Sequence, residues 1–138
     1  MSKGLKIFIT IIIVAGIGIF LFFIFNVMFS INKLSVEGDT IKIKGLYSKS
    51  IEFDSIQNLS LLEDSPVFSK RTNGSSVNEI KKGYFQLEDG SAVFVYIEKY
   101  ETPPFIKFTS INEQIIINLD SSDKTRNLYD EIKEKISE

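Results

Sequence analysis

From Ile7 to Ile31 the chain runs for 25 positions without a charged side chain, and only Thr10, Asn26 and Ser30 are polar there. As a helix this run would reach about 37 Å, enough to cross a hydrocarbon core of ~30 Å with some tilt. The run divides the 138 residues into a short head (1–6), an apolar span (7–31) and a remainder (32–138) long enough for a core of its own.

The head, MSKGLK, is short and positive, as in an export signal or a signal anchor. The apolar run outlasts the core of an ordinary cleaved signal. A cut after Ser30 would put bulky Met28 at the −3 position, so an uncleaved anchor is expected. Lys3 and Lys6 before the span outweigh Lys33 after it, which predicts a cytoplasmic N-terminus and a C-terminal domain outside the cytoplasm. Gly16 and Gly18 are two apart and form no G-x-x-x-G face. Asn26 lies near the outer end of the span, and the expected role is passive anchoring.

All 18 acidic residues follow the span, whereas Lys3 and Lys6 precede it; the remainder therefore carries 14 basic and 18 acidic groups, a net −4. Such a surface does not suit nucleic acid, whose binding rests on neutralising phosphates. The chain has no Cys, His or Trp. That removes disulfides, thiol nucleophiles, thiolate metal sites and the commonest general base together. Ser and Thr are plentiful, but no S-x-x-K pattern and no Gly-rich phosphate loop accompanies them. Neither catalysis, nor a metal, nor a cofactor is expected.

Beyond the span the pattern is that of strands. Asn32–Glu37 alternates and ends in Gly38-Asp39. In Thr40–Lys44, Ile41 and Ile43 take one face and Lys42 and Lys44 the other. Tyr47–Phe53 and Ile56–Leu62 continue in the same manner. Residues 63–79, EDSPVFSKRTNGSSVNE, lose the period and contain Pro66 and Asn73-Gly74; a long surface loop is expected, with Val67 and Phe68 pinning part of it. Lys82–Glu88 and Ser91–Glu98 flank Asp89-Gly90, a strong hairpin signal. SAVFVYI is apolar on both faces and predicts a central strand. Pro103-Pro104 demands an extended entry to a second hairpin, Phe105–Thr109 and Gln114–Leu119. The period then changes: Leu128, Ile132 and Ile136 recur every four residues, predicting one amphipathic helix capped by Asp120, Ser121 or Ser122.

The expected architecture is a transmembrane helix followed by a mostly antiparallel α+β domain of seven or eight strands with one C-terminal helix. That order resembles the small bacterial pleckstrin-homology-like (PH-like) domains often found behind a membrane helix. The resemblance lies in IKIKGLYSKSIEFDSI, in RTNG at Arg71–Gly74, in GYF at Gly83–Phe85 and in PPFIKFTSINEQIIINL, and covers nearly all of Lys33–Glu134. It implies a partly open barrel whose corner the helix plugs, and little about activity. Some relatives bind phosphoinositides through basic residues around the first strand loop. Here that loop is Glu37-Gly38-Asp39, so no phosphoinositide is expected.

Lys70 and Arg71, with the Asn73-Gly74 turn, are the candidate binding residues. They would hold a small anionic ligand through charge-assisted bonds, or else fix the loop to a carboxylate such as Glu79 or Glu88. Asp120 and Asp123 read as helix capping. Two functional classes follow: a membrane-tethered module that binds a protein or peptide at a sheet edge or beside the helix, and a sensor domain that uses the 63–79 loop.

Overall fold

The computed structural model describes residues 1–30 and 33–138. The expected end of the span at Ile31 and the start of the domain at Asn32 lie outside the described residues. Helix α1 (Lys3–Ser30) includes a 25-residue stretch, Lys3–Val27, that is long and apolar enough to cross a membrane, and none of it is buried against the rest of the chain. Two of its polar side chains bond to the helix itself: Thr10 Oγ1 donates to Lys6 O (2.9 Å) and Asn26 Nδ2 to Phe22 O (2.9 Å). Such internal satisfaction is what an apolar surrounding requires of polar groups.

The rest of the chain is a mostly antiparallel β domain closed by a C-terminal helix. Strands β1 (Leu34–Glu37), β2 (Thr40–Ile43) and β3 (Lys49–Glu52) form a three-stranded antiparallel sheet. A short 3-10 turn, Phe53–Ser55, leads into β4 (Ile56–Leu62). The remaining strands are β5 (Phe68–Val77), β6 (Ile80–Leu87), β7 (Ala92–Ile97), β8 (Phe105–Ser110) and β9 (Glu113–Asn118). With β4 they make a six-stranded sheet in the order β4-β8-β9-β7-β6-β5. Every neighbour in it is antiparallel except β7 and β9. Nine strands are thus present among the described residues, against the seven or eight expected.

The extra strand corrects the reading of 63–79 as a loop. Only residues 63–67 are a connection. β5 follows for ten residues and pairs with β6 from Phe68 to Val77. Asn73-Gly74 is not a turn but lies inside β5, where Gly74 faces Gly83 of β6. A Cβ on Gly74 would come within 2.6 Å of the Lys82 carbonyl, and Gly83 has φ +101° with the Asn73 carbonyl 2.7 Å from its would-be Cβ. Glycine is therefore needed on both strands at this crossing. The turn itself comes later, at Asn78-Glu79, with Asn78 at φ +54°.

The large sheet is buried on both faces. Along β7, Phe94 and Tyr96 enter one cluster, with Ile41, Ile43, Ile51 and Phe53 of the small-sheet region and Leu128 and Ile132 of the helix. Val93, Val95 and Ile97 enter a second cluster with Phe85, Phe105 and Ile116. Leu62 at one sheet edge and Phe68 at the other both pack on this second cluster. Helix α2 (Ser122–Ile136) lies on the first cluster, with Ile132 fully buried. Its cap is Ser121, one of the three expected candidates, whose Oγ accepts from Lys124 N (3.2 Å).

Candidate functional site

β5 forms one edge of the large sheet, with β6 as its sole strand neighbour among the described residues. It carries Lys70 and Arg71 and no acidic residue, and most of its side chains from Ser69 to Asn73 are exposed. Neither basic side chain forms a hydrogen bond or ion pair with the described residues, and no bridge to Glu79 or Glu88 forms. The register places Lys70 opposite Gln86, Arg71 opposite Phe85 and Asn73 opposite Tyr84. Cross-strand partners share a face and faces alternate along β6. Lys70 and Asn73 thus belong to the Tyr84 face and Arg71 to the Phe85 face. The three candidates share an edge but do not converge on one point.

Two register shifts interrupt β5, between Phe68 and Lys70 and between Arg71 and Asn73. Bulges and positive charges are the usual protection of an exposed edge against pairing with another chain. From Asn73 to Val77 the register with β6 is unbroken, so only the second half of this edge offers a regular line of outward N–H and C=O groups.

Where that regular half begins, the surface opens into a cleft of about 420 Å³ lined by Leu46, Tyr47, Ser48, Asn73, Tyr84 and Phe94. Asn73, Tyr84 and Phe94 form one row across β5, β6 and β7. Tyr84 and Phe94 meet edge to face, with ring centroids 5.3 Å apart. Lys49 stands over this row, its Nζ 4.6 Å from the Phe94 ring centre, and it bridges both carboxylate oxygens of Glu113 at 2.9 and 3.0 Å. The ion pair neutralises the charge beside the rings and leaves an aromatic floor with a polar rim. Sequence reading missed this cleft, because Tyr47, Asn73 and Tyr84 lie on three separate segments joined only by the sheet register.

A second open cleft, about 660 Å³, lies beyond the C-terminal end of α2 and includes Asp39, Glu52, Asp54 and Glu138 with Lys135. Among the described residues no three acidic side chains come close enough to hold a metal. Asp120 pairs with Lys124 at 3.0 Å and does not cap α2, a role that Ser121 takes, while Asp123 occupies the first turn.

The other polar positions knit the fold. Asn118, fully buried, accepts from Glu98 N (3.0 Å) and Lys99 N (3.2 Å) and donates to Lys99 O (2.6 Å) and Thr102 O (3.1 Å). It thereby holds the loop that enters Pro103-Pro104. Its one visible signal was an amide at the end of the apolar run IIIN. Burial and the hydrogen bond to Glu98 (2.7 Å) push the Tyr96 phenol far above its ordinary value. Burial lowers Lys82, whose ammonium lies 4.6 Å over the Tyr96 ring, and nearby Glu98 partly opposes that shift.

Compared with family models, curated proteins and solved structures, the chain matches none of them.

Proposed function

We propose that this chain is a membrane-tethered, non-catalytic interaction module of PH-like architecture, which receives a protein or peptide strand along β5 close to the bilayer. The observation that carries this reading is the Asn73–Val77 half of β5. It is an unbroken sheet edge with one strand neighbour, and it opens onto an aromatic cleft. A strand added to an edge gains affinity from main-chain hydrogen bonds and specificity from pockets that take alternate side chains. A partner side chain beside Asn73 would extend the Asn73–Tyr84–Phe94 row and enter the cleft. Lys70 and Arg71, which pair with no acidic side chain among the described residues, favour a partner that is acidic on one side of that residue.

In this reading α1 spans the membrane as an uncleaved anchor, with Lys3 and Lys6 on the cytoplasmic side and the domain outside. The order of strands followed by a single closing helix supports the PH-like assignment. The sensor reading, in which Lys70, Arg71 and Asn73 clasp a small anion, has less support because their register sends Arg71 to the opposite face.

The test is a photoreactive amino acid placed in intact membranes at Ser75 on β5, and separately at Asn127 on the exposed side of α2. A discrete protein adduct from Ser75, weakened by Lys70→Glu with Arg71→Glu and absent from Asn127, is the expected outcome. Equal adducts from both positions, or none from Ser75, would count against strand capture. Cysteine reporters at Ser2 and Ser137, probed with an impermeant thiol reagent, check the orientation; labelling of Ser2→Cys alone in intact cells would reverse it.

A further inference from the structure

The route of the chain after α1 fixes which end of the domain lies nearest that helix. Lys33 follows Ser30 by three peptide units, which reach at most about 11 Å. β1 then leads away to the Gly38-Asp39 turn and β2 returns antiparallel, until Lys44 N donates to Lys33 O (3.0 Å). The next turn, residues 44–48, is therefore at the end of the hairpin where the chain left α1. Gly45, at φ +128°, begins it, and Leu46 projects from it with 71 % of its surface exposed. Tyr47 braces the turn from below, its ring 2.9 Å from where a Cβ on Gly83 would stand. Lys33 and Lys44 flank the turn and are exposed, and the Lys44 ammonium reaches back to Glu37 (3.3 Å).

We propose that the 44–48 turn docks on the lipid surface of the bilayer that holds α1, with Leu46 entering the boundary between headgroups and acyl chains. This inference rests on reading α1 as a membrane span. A tether this short holds the turn at the surface permanently, so even one apolar side chain suffices for a contact it could not maintain as a free domain. Lys33, exposed beside the turn, would face lipid phosphates. The docked turn would also hold the start of the regular β5 edge close to the bilayer, because Asn73 shares the cleft with Leu46.

The chain contains no Trp, so single Trp reporters are unambiguous. The full chain carrying Phe20→Trp, Leu46→Trp or Asp39→Trp is reconstituted into phosphatidylcholine–phosphatidylglycerol vesicles with and without brominated acyl chains. Asp39 sits at the opposite end of the β1–β2 hairpin and serves as the distant reference. Phe20→Trp and Leu46→Trp should both show blue-shifted emission that brominated lipid extinguishes, with Asp39→Trp unaffected. Quenching of Phe20→Trp while Leu46→Trp behaves like Asp39→Trp would overturn the docking and leave the span intact. Equal quenching of Leu46→Trp and Asp39→Trp would also overturn it, since contact would not be confined to the turn. An unquenched Phe20→Trp would remove the span and the docking together.

Discussion

Helix α1 and the β domain use the same residue types in opposite ways. Ile19, Phe22 and Phe23 of α1 expose about two-thirds or more of their surface, whereas Phe94, Phe105, Ile117 and Ile132 in the domain expose 1 % or less. The polar groups differ in the same sense. Thr10 and Asn26 of α1 bond to carbonyls of their own helix, while Asn118 in the domain joins a distant loop to the sheet. The contrast teaches that the two regions are matched to different solvents. One leaves its apolar surface to be covered from outside, and the other covers its own.

Predictions follow from pressing on that contrast. The largest effect is expected where the domain covers its own apolar surface. Phe108→Ala, which empties a ring-sized site in the first cluster, should cost about 3–5 kcal/mol of domain stability, measured by chemical unfolding of the full chain in detergent micelles. Phe22→Ala in α1 should leave the domain's unfolding midpoint where it was. A shift of similar size from both would mean that the two regions share a core.

Asn118→Leu keeps the bulk of the side chain but strips Lys99 N–H and the Lys99 and Thr102 carbonyls of their partners, and should cost about 2–4 kcal/mol by the same measurement. The β8–β9 turn offers a gain instead. Ile111, 86 % exposed at φ +49°, holds a left-handed conformation that a β-branched residue resists, next to Asn112 at φ +61°. Ile111→Asn should raise stability by about 1 kcal/mol, read as a higher unfolding midpoint.

The smallest effect is electrostatic. Lys42 and Lys44 hold the Glu37 carboxyl below its ordinary 4.5, and Arg126 does the same for Glu63. A depressed carboxylate stabilises the fold above its unfolded value, and that contribution is lost as pH falls through the lowered folded value. Thermal stability contributed by these pairs should therefore hold from neutral pH down to about 5 and decline below, modestly and less so at high salt. Arg126→Gln should reduce the decline.

How much of this was legible in the sequence depended on whether a segment has something to bury. Ile41 and Ile43, the Asp89-Gly90 hairpin and the Leu128–Ile132–Ile136 stripe declared themselves because a buried face imposes its period on the residues. β5 did not. An edge strand exposed over Ser69–Asn73 has no face to mark, and its Asn73-Gly74 pair, chosen for crowding against Gly83, imitates a turn. The parallel pairing of β7 with β9 left no local trace, since it inserts β9 between β7 and β8. At the candidate site, Lys70 and Arg71 were visible as a basic pair and strand alternation sends them to opposite faces, but the bulge between Arg71 and Asn73, which returns Asn73 to the Lys70 face, left no mark in the sequence. The aromatic cleft was illegible for the same reason as the β7–β9 pairing: register, not spacing, brings Leu46, Tyr47, Asn73 and Tyr84 together.

The division between two solvents is tested most directly by hydrogen exchange on the full chain in lipid nanodiscs and in lipid-free, detergent-free buffer. The account predicts slow exchange from Ile7 to Val27 in nanodiscs, an unchanged protection pattern in the central strands β7, β8 and β9, and aggregation once the lipid is removed. A monomer that stays in solution without lipid, with α1 amides as protected as those of β7, would contradict it.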